Sequence, residues 1–154
     1  LPDPDFSCFP KDRYAVLCRF HPNQALAGGN RDSDYPQEGI FDLLQMCDYF
    51  ITDYSSLALE AAAMDKPTLF YLPDDERYRS ENGVNIDLFQ VMPHCTFTAQ
   101  EDLFRMIDSG AYPMEALQTY KKMYLPQDLG HATEKITELI LQDDRTLKKE
   151  AAAC

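Results

Sequence analysis

The sequence predicts an α/β fold, a parallel sheet covered by helices on both faces. Three observations predict it. Short apolar runs alternate with stretches of helix-forming residues, in the order strand, helix, strand, helix, strand, loop, strand, then helices. The runs are short and rich in apolar and aromatic side chains, as buried strands are. Each run stops at turn residues or at a helix start.

Residues 13–20, RYAVLCRF, read as the first strand, and Pro22 and Asn23 end it. Residues 24–37 are rich in Gly, Asn, Asp and Ser and read as loop. Residues 38–47, EGIFDLLQMC, read as a short helix with Ile40, Leu43, Leu44 and Cys47 on one face. The second strand covers residues 48–52, and residues 55–64 form a helix favoured by Ala, Leu and Glu. The stretch DKP breaks that helix, and residues 68–72, TLFYL, form the third strand. Residues 73–93 are polar with Gly, Pro and Asn, hence mainly loop, and residues 95–98, CTFT, form a short fourth strand. Helices follow over 100–109, 114–124 and 131–142, and the tail DDRTLKKEAAAC continues as helix or frays.

The chain of 154 residues is long enough for one domain with a core, and 45% hydrophobic residues exclude disorder by composition. A net charge of −12, from 14 basic and 26 acidic residues, argues against a nucleic-acid partner and against attraction to anionic lipid. It leaves a phosphate ligand open, because backbone N–H groups and a few local cations can hold one. The five cysteines include no C-x-x-C pair, so neither a disulfide framework nor a metal site is expected, and no cofactor is. Free thiols point to the cytoplasm. No run reaches the length of a membrane span, and no signal peptide is read at the start. The chain does not begin with Met and reads as a piece of a longer protein.

In a parallel sheet, ligands bind at the carboxyl ends of the strands. Residues 52–56, TDYSS, stand there, where a strand hands over to a helix. A helix start exposes unpaired N–H groups and a positive dipole end, and Ser55 and Ser56 add hydroxyls. One of Asp53, Ser55 or Ser56 is needed as a helix cap in any case, so capping and anion binding weigh about evenly. His21, after the first strand, stands at the same rim; it suits phosphate contact or acid–base work, or simply a turn hydrogen bond. Arg77 and Arg79 could clamp a phosphate or belong to a solvated loop. Gly130, ahead of Thr133, could open a second anion site or an ordinary helix. Glycine-rich nucleotide loops and the G-x-S-x-G motif are absent.

The stretch FITDYSSLALEAAAMDKPTLFYLPDDERYRSENG, residues 50–83, resembles the core motif of the CDP-glycerol:poly(glycerophosphate) glycerophosphotransferases, the teichoic-acid primases and polymerases. LCRFHPN upstream and QDLGHATEKITELI downstream resemble flanking segments of that family, so the likeness spans about residues 14–140. The resemblance implies a Rossmann-like domain, residues 1–154, that is the C-terminal half of a GT-B glycosyltransferase fold whose N-terminal half is absent. It implies that Ser55 and Ser56 hold the pyrophosphate of CDP-glycerol, or of a similar CDP-polyol. His21 would contact the phosphate being transferred, Asp53 would orient the loop, and Arg79, Gly130 and Thr133 would lie among the substrate-binding residues. The reaction implied moves glycerol phosphate to a hydroxyl of a membrane-anchored, lipid-linked acceptor. The full-length protein would be peripheral on the inner face of the membrane, and this chain alone would turn over little.

Two other readings remain beside it. Another GT-B enzyme, a nucleotide-sugar glycosyltransferase or epimerase, shares pyrophosphate binding at a helix start but more often carries a Gly-rich loop. A non-catalytic α/β module would keep the fold and bind no nucleotide diphosphate.

Overall fold

The computed structural model describes residues 6, 9–19, 35, 37–127 and 129–152, with side chains as far as Gln142. It is an α/β structure. In chain order the described elements are α1 (Ile40–Met46), β1 (Phe50–Thr52), α2 (Leu57–Ala63), β2 (Thr68–Tyr71), α3 (Asp75–Asn82), α4 (Leu88–Val91), β3 (Thr96–Phe97), α5 (Gln100–Ser109), α6 (Met114–Tyr124) and α7 (Ala132–Ala152). The three strands form a parallel sheet in the order β1-β2-β3, with Phe50 opposite Thr68 and Phe70 opposite Thr96. Their carboxyl ends therefore share one edge.

The centre of the core is β2. Thr68, Leu69 and Phe70 are all but fully buried, as a strand flanked on both sides and covered on both faces must be. Helix α2 presents Ala58, Ala61 and Ala62 inward, and residues this small let a helix approach its neighbours closely. Leu103 and Ile107 of α5 and Leu117 and Tyr120 of α6 are also buried, with the Tyr120 ring edge-on to Phe70 at 6.0 Å. Tyr112 closes the start of β2: its hydroxyl accepts from the Thr68 N–H at 3.1 Å and donates to the Thr68 carbonyl at 3.0 Å. Thr96 ties β3 to α4 by donating to the carbonyls of Leu88 and Met92 at 3.0 and 2.9 Å. Gly110 ends α5 with φ 63°, a left-handed turn that costs glycine nothing. Among the described residues no helix is long and apolar enough to cross a membrane.

Two expectations are corrected. Residues 13–19 do not form a buried strand: none of 14–19 takes strand conformation, and Ala15, Val16 and Arg19 are exposed. The chain there is committed elsewhere. Arg13 pairs with Asp108 of α5 at 2.8 Å, Tyr14 donates to the same carboxylate at 3.0 Å, and Phe9 packs edge-on against Tyr14 and Phe104. An apolar run becomes a strand only when a neighbouring strand takes up its N–H and C=O groups, and this one is held against α5 instead.

Residues 73–93 are also not mainly loop, because α3 and α4 lie within them. α3 buries no residue, so it shows no apolar stripe to read. Charge holds it: Asp75 and Glu76 lie in the first turn, Arg79 in the last, and Arg79 pairs with Asp75 one turn away at 2.7 Å. Of the two alternatives for the tail, helix is the one found: α7 runs on to Ala152.

Candidate functional site

The carboxyl edge of the sheet carries the candidate site. β1 ends at Thr52, and the next four residues turn the chain into α2. Asp53 shapes that turn by accepting the Ser55 N–H at 3.1 Å. Ser55 then accepts the Leu57 N–H on its hydroxyl at 3.3 Å, while its carbonyl takes the Ala58 N–H. Ser55 thus covers the first helical N–H, while Asp53 closes the turn before the helix. Ser56, at the helix boundary, makes no side-chain cap bond. Its hydroxyl and its N–H have no hydrogen-bond partner among the described residues, and the residue is exposed. The Ser56 hydroxyl and amide, and the proton of the Ser55 hydroxyl, which only accepts from Leu57, therefore remain to receive an anion from solvent.

Tyr54, between Asp53 and Ser55, points the other way. Its ring stacks on Tyr78 of α3, with centroids 4.0 Å apart and an angle of 10° between planes. Its hydroxyl donates to Asp75. Asp75 also accepts from Arg79 Nε at 2.7 Å, and Arg79 reaches Asp87, at the start of α4, at 2.9 Å. These groups shift one another's titration. Partial burial and the bond to Asp75 push the Tyr54 hydroxyl well above its ordinary range. For Asp75, burial opposes ionisation, but the bonds from Tyr54 and Arg79 outweigh it and hold the carboxyl below its ordinary range. The two carboxylates push the Arg79 guanidinium up.

The expected site residues are therefore distributed unevenly. Asp53, Ser55 and Ser56 share one turn. Arg79 reaches that turn through Asp75 and Tyr54, with its guanidinium held between two carboxylates. Gly130, with φ 92°, and Thr133 stand at the start of α7, both exposed. No hydrogen bond, ion pair or ring contact joins them to the serine turn among the described residues. His21 lies outside the described residues. Sequence reading missed Tyr54, Tyr78, Asp75 and Asp87. The available signal was the placement of Tyr54 between two turn-shaping polar residues at a strand end, where a purely core aromatic is out of place.

Among the described residues no three His, Cys, Asp or Glu side chains converge to hold a metal. A surface hollow of about 230 Å³ is formed by α6 and the segment after it, lined by Gln118, Lys121, Lys122 and Leu125 among others. It includes none of the residues at the strand ends. Lys121 and Gln118 bind Asp65 there, beyond the carboxyl end of α2, whereas the serines stand at its amino end.

Comparison with known proteins agrees with the motif. The family model for CDP-glycerol:poly(glycerophosphate) glycerophosphotransferase matches residues 6–142. The teichoic acid glycerol-phosphate primase of Staphylococcus aureus is 30% identical over 86% of this chain and 35% of its own length. The teichoic acid poly(ribitol-phosphate) polymerase of Bacillus spizizenii is 24% identical over 90% of this chain and 25% of its own length. The glycerol-phosphate primase of Bacillus subtilis is 31% identical over 64% of this chain and 27% of its own length. The chain thus spans between a quarter and about a third of the length of these relatives. With the match covering nearly all of it, the chain belongs to the CDP-glycerol:poly(glycerophosphate) glycerophosphotransferase family.

Proposed function

We propose that this chain is the donor-binding part of a polyol-phosphate transferase, the C-terminal Rossmann-like half of a GT-B fold. The observation that carries the proposal is the serine turn: TDYSS at the carboxyl end of β1, inside the family match, with Asp53 and Ser55 shaping it and Ser56 left open. In this reading the Ser56 N–H and the two hydroxyls face the pyrophosphate of a CDP-activated polyol. His21 contacts the phosphoryl group that is transferred, and Gly130 and Thr133 complete the anion contacts from the start of α7.

The chemistry is displacement at phosphorus. A hydroxyl of a lipid-linked acceptor attacks the polyol-bearing phosphorus, the bond to CMP breaks, and CMP leaves. Phosphoryl transfer needs little covalent help; positioning and charge stabilisation carry it. Donors fixed in advance at the non-bridging oxygens do both. The described rim is itself acidic: Asp75, Arg79 and Asp87 together carry one negative charge. In this reading the cations that balance the pyrophosphate come from other parts of the full-length protein. Peripheral attachment to the inner face of the membrane belongs to the same reading, because it brings the site to a lipid-linked acceptor. Relatives named for glycerol phosphate and for ribitol phosphate both match, so the polyol is one of this class.

The test is calorimetric titration of the full-length protein with CDP-glycerol, CDP-ribitol, CDP, UDP-sugars and ADP, alongside the Ser55→Ala/Ser56→Ala variant. The expected result is selective binding of the cytidine compounds, weakened about tenfold or more in the variant, in line with the loss of bonds to a charged group. A preference for UDP-sugars, or equal binding by the variant, would overturn it.

A further inference from the structure

We infer that Tyr54, Asp75, Arg79 and Asp87 form a brace that fixes the serine turn for donor binding, and that Tyr54 and Arg79 are positioning residues of this site. The inference rests on the proposed donor site and adds a part that neither the motif nor the relatives assign.

The geometry supports it in three ways. First, the brace joins three separate segments at the carboxyl edge of the sheet: the turn after β1, helix α3 after β2, and the start of α4. Tyr54 is the only residue of the turn between Asp53 and Ser56 whose side chain crosses to another element among the described residues. Second, each member is held from two sides. Tyr54 has the Tyr78 ring on its face and Asp75 at its hydroxyl; Asp75 has Tyr54 on one oxygen and Arg79 on the other; Arg79 has Asp75 at Nε and Asp87 at a terminal nitrogen. Third, the partners are sheltered: the side chain of Asp75 is 15% exposed and that of Arg79 29%. A guanidinium fixed between two carboxylates orients them rigidly, as its planar fork allows and a lysine does not. The displaced titration of Tyr54, Asp75 and Arg79 agrees with one shared network.

The function follows from where Tyr54 stands. Asp53 and Ser55 shape the turn from within, through bonds spanning only two residues. Those bonds stay within the turn and its helix start and tie it to no other element. The Tyr54 bond anchors it to α3, so the open Ser56 amide and hydroxyl keep a fixed place relative to the strand ends. Arg79 then acts on the donor through Asp75 and Tyr54 rather than by touching it.

The experiment compares wild type, Tyr54→Phe, Asp75→Asn, their double variant and Arg79→Lys in the full-length protein. Three readouts are taken: amide hydrogen exchange over residues 52–59, affinity for CDP, and steady-state kinetics with CDP-glycerol. The brace predicts faster exchange over 52–59 in Tyr54→Phe, CDP binding weakened about tenfold, and a raised KM for donor with the acceptor KM unmoved. The double variant should lose no more than the single ones, because both cut the same link. Arg79→Lys, able to hold one carboxylate but not both, should fall between. A change in thermal stability with unchanged donor KM and unchanged exchange in the turn would mark the network as structural only and overturn the inference. Exchange is read without ligand, so it decides the brace even if wild type prefers another nucleotide. Failure of wild type to bind CDP would refute the proposed function, whereas CDP binding equal in wild type and Tyr54→Phe would refute the brace alone.

Discussion

Strand β2 and helix α7 each carry a short run of large apolar side chains, in opposite environments. Leu69 of β2 is 0% exposed and Phe70 1%, whereas Leu139 of α7 is 66% exposed and Ile140 63%. The difference lies in what stands beside each. β2 has a strand on either edge, and α2, α5 and α6 supply buried side chains to the same core. Every described residue of α7 from Ala132 to Gln142 is exposed. An apolar pattern gives the capacity to bury a face; whether that capacity is used depends on a partner.

The comparison can be broken most sharply at its buried end. Phe70→Ala removes a ring packed against Tyr120 and leaves a cavity at the centre of the sheet. The expected loss is about 3–5 kcal/mol, the usual range for a buried Phe, read as a lower midpoint in urea denaturation. A loss below about 1 kcal/mol would mean that β2 is not the centre of the core.

The rim at the serine turn stands between these extremes, partly buried and held by charge, and there pH is the natural probe. Asp75 has a carboxyl held below its ordinary value of 3.8. The unfolded chain therefore takes up the proton first as pH falls. The stabilisation from Asp75 is complete above about pH 4 and is lost as pH drops through its lower folded value. Asp75→Asn should cost about 1–2 kcal/mol near pH 6, and the gap to wild type should narrow toward pH 3. A gap constant from pH 6 to pH 3 would show that the charge on Asp75 contributes nothing. Asp65, lowered by its bonds from Lys121 and Gln118, titrates alike in both proteins and cancels in the difference.

What could be read in the sequence follows the same division. Helices over 100–109 and 114–124 stand where expected, because each shows an apolar stripe on a stretch of good helix formers. β2 is legible for the same reason, since its apolar run is bounded by turn residues on both sides. α3 is not, because ion pairs between Asp and Arg hold it and its face buries nothing. The run over 13–20 reads as a strand from its apolar residues, yet its environment is set by Asp108, far along the chain. At the site, Asp53, Ser55 and Ser56 are legible because helix-start chemistry is local. The bond from Tyr54 to Asp75 spans 21 residues and belongs to no local pattern, so only the packed structure brings the two together.

The smallest expected effect is at α7, and it sharpens the comparison from the exposed side. Leu139→Ser replaces a large apolar side chain that is 66% exposed. In this chain it should cost no more than about 0.5 kcal/mol, mostly from the lower helix propensity of Ser. The same substitution at the fully buried Leu117 of α6 should cost several times more, because there it opens a cavity and buries a hydroxyl. Denaturation of both variants side by side measures the difference. If Leu139→Ser costs as much as Leu117→Ser, the apolar face of α7 already has a partner in this chain, and hydrophobic burial, not charge and propensity, holds the helix in place.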